Sequence, residues 1–407
     1  MFSDRFVWGA AASSYQIEGA AETEGKGPSI WDEFCRQPGV IRRGESGAVA
    51  ADHYHRFRED VALMSEIGIR AYRGSVSWPR VMPAGTGEVN AAGLDFYDAL
   101  VDALLERQIE PWLTLYHWDL PLALQEAGGW LNPQMPNWFA DYTRAVVARV
   151  GDRVRHWMTI NEPQVFLQFG LGDGTHAPGL KLPVADRLQA AHHVLLAHGR
   201  SVQAIRELSP APCVVGWAPV GVTKIPHSPN DVEAARNVVM GVDPQTVWNN
   251  VWFNDPIFFG HYPEAGLEAY GANAPQFSAS DMETIAQPID FLGLNIYFAE
   301  LIDSGVDGQP PQEAPFSEGW PRTAMDWPVT PEALYWGPRY FWDRYQSPIV
   351  ITENGISNND WVMADGRVDD PQRIDYTTRY LRELRRAASE GIDVRGYFHW
   401  SLMDNFE

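Results

Sequence analysis

Short apolar runs alternate with amphipathic stretches along this chain. Apolar residues that recur every three or four positions predict helices at about residues 52–67, 93–107, 132–150, 186–208, 229–259, 331–345 and 370–391. The apolar runs between them are typical of buried strands, and they lie at residues 6–10, 71–76, 111–116, 156–160, 213–217, 291–297, 348–353 and 394–400.

Helix boundaries and faces follow from particular residues. Asn132-Pro133 and Asp370-Pro371 are typical helix starts, because each combines a capping side chain with a proline at the first helical position. A short break is expected near Asp243 within the 229–259 region. In the last helix, four apolar residues are predicted to face the core, namely Ile374, Leu381, Leu384 and Ala388.

This alternation predicts an α/β fold, a closed parallel (β/α)8 barrel of the TIM type. The chain has 407 residues, a length at which such barrels often form one unit, so residues 1–407 are expected to be a single domain. The longest irregular stretches follow the first, fourth, fifth, sixth and seventh predicted strands. In barrels of this kind, the loops after the strands build the active site.

Two carboxylates end two of the predicted strands. Glu162 follows the run 156–160 and precedes Pro163, and Glu353 ends the run 348–353. Because a residue before proline is pushed away from helical angles, Glu162 is expected to keep extended, strand-like geometry. Strands four and seven of a closed barrel face each other across its mouth, so the fold would bring these acids together. A pair of carboxylates is what hydrolysis of a glycosidic bond requires.

The charge balance restricts the classes of binding partner, and the cysteines indicate the cellular location. The chain has 31 basic and 53 acidic residues, a formal net charge of −22, which disfavours nucleic acid and anionic membranes as partners. Strongly anionic substrates are disfavoured less, because a local site can oppose the global field. No run approaches the roughly 18 apolar residues of a membrane span, and no signal peptide is recognised. Two cysteines without metal spacing, Cys35 and Cys213, favour a reducing cytoplasmic location.

Other patterns carry less chemistry. Aromatic residues make up 12% of the chain and include 17 Trp, most of which a large core explains, although some could line a cleft for sugar faces. His53 and His55 alternate within a predicted helix, where such side chains diverge, so no metal or other cofactor is predicted. The glycine-rich stretch 170–174 is expected to be a loop and lacks a phosphate-binding fingerprint.

Seven segments resemble those of family 1 glycoside hydrolases, the retaining β-glucosidase group, and they follow the family order from end to end. They are SYQIEG (14–19), SWPR (77–80), YHWDLP (116–121), NEP (161–163), HAPG (176–179), TENG (352–355) and WSLMDNFE (400–407). The resemblance implies an exo-acting β-glucosidase that removes terminal non-reducing β-D-glucosyl residues by double displacement. Small β-glycosides or cello-oligosaccharides would be its substrates, with galactosides and fucosides as further glycones.

The resemblance also implies residue roles. Glu162 would be the acid/base and Glu353 the nucleophile, so Glu162 must be protonated and Glu353 ionised. Limited solvation and a neighbouring carboxylate would raise the pKa of Glu162. A retaining pair of this kind has its carboxyl groups about 5 Å apart.

The remaining residues implied by the resemblance surround this pair. Arg73 and Tyr297 would hold and stabilise the nucleophile, Asn161 would bind the sugar 2-hydroxyl, and Asn295 would lie near the acid/base. For Trp118, a role in the site and a purely structural role in packing its wall are equally supported. Four residues would grip the glycone hydroxyls, namely Gln16, His117, Trp400 and Glu407.

The chain departs from the family pattern at three places. Gly74 replaces the phenylalanine that usually follows the arginine. Because glycine has no side chain, the packing behind Arg73 is expected to differ from that of the family. Gln164 stands where the family often has an aromatic residue, so a more polar aglycone side is expected. The family continues beyond the position of Glu407 with a tryptophan of the glycone site and an eighth helix. The eighth helix is therefore expected to be missing, which would expose the outer faces of strands eight and one and reduce stability and activity.

Two other functions remain open at this point. A carbohydrate-binding barrel with little or no turnover is one, because a wall of the glycone site would be lost beyond Glu407. A 6-phospho-β-glucosidase is the other, although a carboxylate at Glu407 would repel a phosphate. Thioglucosidase relatives lack the acid/base glutamate, so Glu162 argues against that activity. The oligomeric state, including a homo-oligomer, is left open by the sequence.

Overall fold

Eight parallel strands form a closed barrel in the order in which they follow one another along the chain. This computed structural model describes residues 2–305 and 310–407. The predicted (β/α)8 fold is confirmed. The barrel strands are β1 (Val7–Ala11), β2 (Ala71–Ser75), β3 (Glu110–Tyr116), β4 (His156–Asn161), β5 (Val214–Ala218), β6 (Phe291–Asn295), β7 (Ile349–Asn354) and β8 (Val394–Trp400).

Helices and shorter turns connect the barrel strands. None of the helices in the described ranges combines the length and the apolarity needed to cross a membrane. The α-helices are Ser14–Ile17, Ile30–Arg36, His53–Glu66, Trp78–Val81, Ala91–Glu106, Leu122–Glu126, Met135–Val150, Pro163–Val165, Val184–Leu208, Val232–Val239, Val251–Phe259, Glu264–Tyr270, Ala279–Ile285, Ala333–Tyr345 and Pro371–Ser389. Short 3₁₀ turns lie at Arg42–Gly44, Gly129–Leu131, Pro229–Asp231 and Gly271–Asn273.

A buried cluster takes one side chain from every barrel strand and fills the interior of the barrel. Its members are Ala11, Ala71, Trp112, Met158, Ala218, Phe291, Val350 and Phe398. The Trp112 ring centroid lies 5.0 Å from that of Phe398 and 5.6 Å from that of Phe291. Gly9 admits this packing, because a Cβ at that position would lie 2.5 Å from the Phe398 ring. The barrel therefore has a packed core beneath its mouth.

Two helix predictions are wrong in detail. One helix begins at Met135 rather than at Asn132-Pro133, because the Asn132 side chain accepts from the N–H of Gln134 at 2.9 Å and forms a turn instead. In the helix Pro371–Ser389, Ile374 is 66% exposed. Leu384 is buried as predicted, and Leu381 and Ala388 pack against the core, while Tyr376, Tyr380 and Ala387 complete the buried face of that helix.

Two further regions differ from prediction. The break expected near Asp243 is much wider, because the helices Val232–Val239 and Val251–Phe259 are separated by non-helical chain. The glycine-rich stretch expected to be a loop belongs to the π-helical segment Phe166–Asp173. Such π-helical segments are rare and are frequent near functional sites.

The mouth of the barrel carries additional structure. The loops after β5 and β6 form a small three-stranded sheet from Lys224–Pro226, Glu300–Asp303 and Gln312–Ala314. The Lys224 ammonium joins two of its strands, because it lies 3.1 Å from the Glu300 carboxylate. These loops widen the wall above the fifth and sixth strands.

The outer faces of β8 and β1 are partly open to solvent. Trp8 on β1 is 43% exposed, and Arg395 on β8 is exposed. Within the described ranges, no helix follows β8.

The packed interior predicts a stability difference between two phenylalanines. Phe398 is fully buried, so Phe398→Ala is expected to lower the free energy of unfolding by about 3–5 kcal/mol through the cavity it creates. Phe277 is 40% exposed, and Phe277→Ala serves as the matched control with a smaller loss. Urea denaturation followed by circular dichroism measures both. Equal losses in the two variants would show that the interior cluster does not stabilise the barrel.

Candidate active site

Glu162 stands at the point where the chain leaves β4. Its backbone is left-handed, with φ 43° and ψ 64°, so the prediction of extended geometry is wrong. The chain turns sharply here into the single turn Pro163–Val165, while the Glu162 N–H still donates to the Ala218 carbonyl at 2.8 Å. A non-glycine residue in this region costs about 1–3 kcal/mol, and such strain occurs mainly at functional sites.

Glu353 lies near the end of β7, where two donors meet its carboxylate. Arg73 Nη1 donates to Oε1 at 2.5 Å, and the Tyr297 hydroxyl donates to Oε2 at 2.6 Å. Burial and then the negative charge of Glu353 raise the pKa of Tyr297 well above its ordinary value, so the phenol stays protonated as a donor. Both contacts stabilise negative charge on Glu353.

The two carboxyl groups have different electrostatic surroundings. Burial raises the pKa of the Glu162 carboxyl well above its ordinary value, and the negative charge of Glu353 raises that pKa further. The Asn295 side chain and the Arg73 guanidinium act in the opposite direction without reversing the shift. The surroundings therefore favour the protonated form of Glu162, whereas Arg73 and Tyr297 both donate to the Glu353 carboxyl.

Asn161 connects the acid pair to the neighbouring strands. Its Oδ1 accepts from Arg73 Nη2 at 2.6 Å and from Asn295 Nδ2 at 3.0 Å. Because arginine has no acceptor, these bonds fix the orientation of the Asn161 amide. Its Nδ2 then faces His117 Nε2 at 3.2 Å.

This orientation also fixes the state of His117. Burial, and then the charge of Arg73, lower the pKa of His117 well below its ordinary value, so the ring is neutral. Since Nε2 accepts from Asn161, the remaining proton is on Nδ1. His117 thus has one N–H available as a donor.

Four more of the residues assigned from the sequence contact His117, Asn161 or each other. The Trp400 ring stacks on His117 with a centroid distance of 5.5 Å, and the Trp118 indole N–H donates to the Asn161 carbonyl at 3.2 Å. Gln16 Nε2 donates to the Glu407 carboxylate at 2.9 Å. The Trp400 side chain is a further hydrogen-bonding neighbour of Glu407, so these contacts connect Gln16 and Glu407 to His117 and Asn161.

Sequence reasoning missed several residues that support these contacts. Thr352 donates through Oγ1 to Asn295 Oδ1 at 2.6 Å and so orients that amide. The Tyr376 hydroxyl donates to the Tyr297 carbonyl at 2.8 Å, and Asn354 Nδ2 donates to Tyr376 at 3.2 Å. Thr352 and Asn354 flank Glu353 in the TENG segment, which was a usable signal. Tyr376 lies on the distant helix Pro371–Ser389 and carried no such signal.

The two unusual residues have structural explanations. A Cβ at Gly74 would lie 3.1 Å from the Tyr72 ring, so that buried ring already occupies the space beside Gly74. Gln164 is fully buried. Its amide accepts from the Val220 N–H at 3.2 Å and donates to the Val220 and Asn249 carbonyls. The prediction that Gln164 makes the aglycone side more polar is therefore wrong, because its polar atoms bind loop backbone.

The histidines set aside as metal ligands have ordinary partners. His53 Nδ1 lies 2.6 Å from the Asp60 carboxylate, and His55 Nδ1 lies 2.6 Å from the Asp52 carboxylate. In the part of the chain that the structure describes, no group of three or more His, Cys, Asp or Glu side chains is arranged to hold a metal ion.

Comparisons with known proteins agree with this geometry. Beta-glucosidase A of Thermotoga maritima is 41% identical over 409 residues, which cover 100% of this chain and 90% of the relative. The 1,4-beta-D-glucan glucohydrolase of Thermotoga neapolitana is 41% identical over 416 residues, covering 100% and 94%. An aryl-phospho-beta-D-glucosidase of Bacillus subtilis is 40% identical over 433 residues, covering 99% and 88%.

A solved structure matches the whole fold. The Thermotoga maritima beta-glucosidase in complex with deoxynojirimycin has a TM-score of 0.91 at 41% identity, covering 100% of this chain and 90% of that one. The barrel and its pair of unlike acids define a glycosidase. The family model described as glycosyl hydrolase family 1 matches residues 1–407, and the chain belongs to this family.

The electrostatic coupling of the two acids can be tested without turnover. Glu353→Gln removes a negative charge beside Glu162, so the pKa of Glu162 is expected to fall while burial keeps it above its ordinary value. Carbon-13 NMR titration of labelled glutamate carboxyls measures this pKa, with the Glu162 signal assigned from Glu162→Gln. Glu207→Gln on the exposed face of Val184–Leu208 is the control. An unchanged pKa in Glu353→Gln would contradict the coupling.

Proposed function

We propose that residues 1–407 act as one catalytic domain, a retaining β-glucosidase that removes terminal non-reducing β-D-glucosyl residues. The observation that carries this proposal is the unequal environment of the two acids, with a raised pKa at Glu162 and two donors at Glu353. A retaining glycosidase needs this combination of a proton donor and an ionised nucleophile. The beta-glucosidase names of relatives about 41% identical along the full chain support the glucosyl specificity.

In the first step, the Glu353 carboxylate attacks the anomeric carbon while Glu162 gives its proton to the glycosidic oxygen. The bond between that carbon and the oxygen breaks, the alcohol leaves, and a glycosyl ester forms on Glu353. The Tyr297 hydroxyl and the Arg73 guanidinium hold the attacking carboxylate in place. Asn161 binds the 2-hydroxyl, a contact that strengthens in the transition state.

The second step uses the same groups in reverse. Esterification removes the negative charge of Glu353, which is the second cause of the raised pKa of Glu162. The pKa of Glu162 therefore falls, and its carboxylate takes a proton from water as the water oxygen attacks the anomeric carbon. The ester bond breaks, the sugar leaves with its β configuration, and both acids return to their starting states.

The glycone would be held by a ring of donors and acceptors. The Nδ1–H of His117, the amide of Gln16 and the carboxylate of Glu407 are suited to sugar hydroxyls, and Trp400 offers a flat face. The Gln16–Glu407 contact supports exo action, because it joins the loop after β1 to the chain beyond β8 at the edge of the site. Galactosides and fucosides belong in the test set, and a relative's structure contains galacto-hydroximolactam.

Cello-oligosaccharides and other small β-glycosides are the proposed natural substrates. The relative named 1,4-beta-D-glucan glucohydrolase supports the oligosaccharides. A cytoplasmic location is proposed on the free thiols of Cys35 and Cys213. Neither nucleic acid nor a membrane is a proposed partner, given the net charge of −22.

A phosphorylated glycone is the second candidate, because one relative is an aryl-phospho-beta-D-glucosidase. The Glu407 carboxyl beside Gln16 opposes it, since its ionised form repels a phosphate bound there; burial and then the charge of Glu353 raise its pKa to about 7, so this repulsion grows as the pH rises through 7. A binding barrel without turnover is disfavoured because both acids are present with the electrostatics that catalysis needs.

The nucleophile assignment predicts the stereochemistry of rescue. Glu353→Ala is expected to lower the turnover of an aryl β-glucoside by at least about 10³-fold. Azide should restore activity from the face that Glu353 vacates and give the α-glycosyl azide. In Glu162→Ala, azide should instead intercept the ester on intact Glu353 and give the β-glycosyl azide. Proton NMR distinguishes the products, and a β product from Glu353→Ala would refute the assignment.

The glycone proposal predicts a preference among nitrophenyl glycosides. The β-glucoside is expected to have a kcat/KM at least about tenfold above that of its 6-phosphate, because a charged group near Glu407 is repelled. Glu407→Gln should lower that ratio, because removing the negative charge favours the 6-phosphate substrate. A wild-type preference for the phosphorylated substrate would reverse the proposal in favour of the second candidate. Sugar binding without release of nitrophenol would favour the binding barrel.

A further inference from the structure

Asp119 belongs to the same segment as His117 and Trp118 but makes none of the contacts described above. Its side chain is buried, with 1% exposure. Oδ2 accepts from Ser14 Oγ at 3.1 Å, and the Ser77 hydroxyl is a second hydrogen-bonding neighbour of the carboxyl. A buried carboxyl carries a desolvation penalty, which hydrogen bonds such as the one from Ser14 offset.

Ser14 begins the single helical turn Ser14–Ile17, which carries Gln16. The preceding Ser13 gives this turn no side-chain cap. The N–H of Ser14 donates instead to Ser75 Oγ at 2.7 Å, and the Ser75 hydroxyl donates to Ser14 Oγ at 3.0 Å. Ser75 is the last residue of β2, so the turn is fastened to β2 and to the loop after β3.

The loop after β3 carries both His117 and Asp119. Trp118 has a left-handed backbone with φ 76°, and it separates two residues whose side chains contact different groups. His117 contacts Asn161 in the active site, whereas Asp119 contacts Ser14. The position of Gln16 is therefore coupled to that of His117 through a short series of buried contacts.

The contact with Ser14 does not need a charged Asp119. Burial raises the pKa of Asp119 to about 7, Glu18 raises it as well, and the hydroxyls of Ser77 and Ser14 and the ammonium of Lys26 oppose the shift. Either protonation state keeps an oxygen that can accept from Ser14 Oγ. Asparagine has the same acceptor at the same reach, which makes Asp119→Asn a conservative replacement.

We propose that Asp119 is a positioning residue for glycone binding, which through Ser14 holds the turn carrying Gln16 in register with His117. This inference rests on the proposed function, in which Gln16 and His117 bind the glycone. It concerns where these two side chains stand relative to each other, and Asp119 itself does not touch the sugar.

The test combines Asp119→Ala, Ser14→Ala, their double variant and Asp119→Asn. Calorimetry gives the Kd for deoxynojirimycin, and steady-state kinetics on nitrophenyl β-glucoside gives KM and kcat. Each alanine variant is expected to weaken inhibitor binding about tenfold, as when one or two hydrogen bonds to the glycone are lost. The double variant should bind no worse than Ser14→Ala alone, because Asp119 acts on the turn through Ser14, whose hydroxyl also accepts from Ser75. Asp119→Asn should stay within about twofold of wild type.

A matched control separates positioning from general destabilisation. Ser201→Ala removes a buried hydroxyl pair with Thr143 at 3.0 Å, so it should lower the melting temperature and leave the Kd for deoxynojirimycin unchanged. Wild-type affinity in Ser14→Ala and Asp119→Ala, or additive losses in the double variant, would overturn the inference. If Asp119→Ala does not fold, tenfold weakening in Ser14→Ala with retention in Asp119→Asn supports it, and any other result overturns it.

The same measurements keep the two proposals distinct. A wild-type chain that neither binds deoxynojirimycin nor hydrolyses the glucoside would refute the proposed function. An active wild type that loses activity in Glu353→Ala but keeps full affinity in Asp119→Ala and Ser14→Ala would refute only the positioning role.

Discussion

The active site depends on the buried guanidinium of Arg73, which is 1% exposed. From β2 it donates to the Glu353 carboxylate and the Thr352 carbonyl on β7 and to Asn161 on β4. A buried charge is tolerated only when it is paired and hydrogen-bonded, so Arg73 and Glu353 stabilise each other. Removing either one would leave the other as an uncompensated charge. The same pairing keeps negative charge at Glu353, and that charge helps to keep the proton on Glu162.

The barrel and the acid pair could be predicted because their signals are local. Eight apolar runs separated by helical periodicity specify the strands, and Glu162 and Glu353 stand at the ends of two of them. The family resemblance then implied Arg73, Tyr297 and Asn161, and the structure places Arg73 in contact with Asn161 and with Glu353, to which Tyr297 also donates. Strand positions are predictable because both faces of a barrel strand are buried, which leaves a continuous apolar run.

What could not be predicted depends on packing between distant elements. The proline after Glu162 indicated extended backbone, but the exit from β4 requires a left-handed turn at that residue. A polar Gln164 after the acid was expected to line the aglycone side, and only the fold shows that its amide hydrogen-bonds to the backbone of Val220 and Asn249. Tyr376 acts on the site from a helix far along the chain, where the sequence around it resembles any amphipathic surface helix.

The cluster of buried side chains inside the barrel, one from each strand, determines the route by which small molecules reach the acids. Trp112, Phe291 and Phe398 close the channel below the acids, so the pocket is blind-ended. Substrate, water and released sugar must all pass through the mouth at the carboxyl ends of the strands. Under the proposed function, a released sugar would occupy the volume that the next glycone needs, so competitive inhibition by the product is expected.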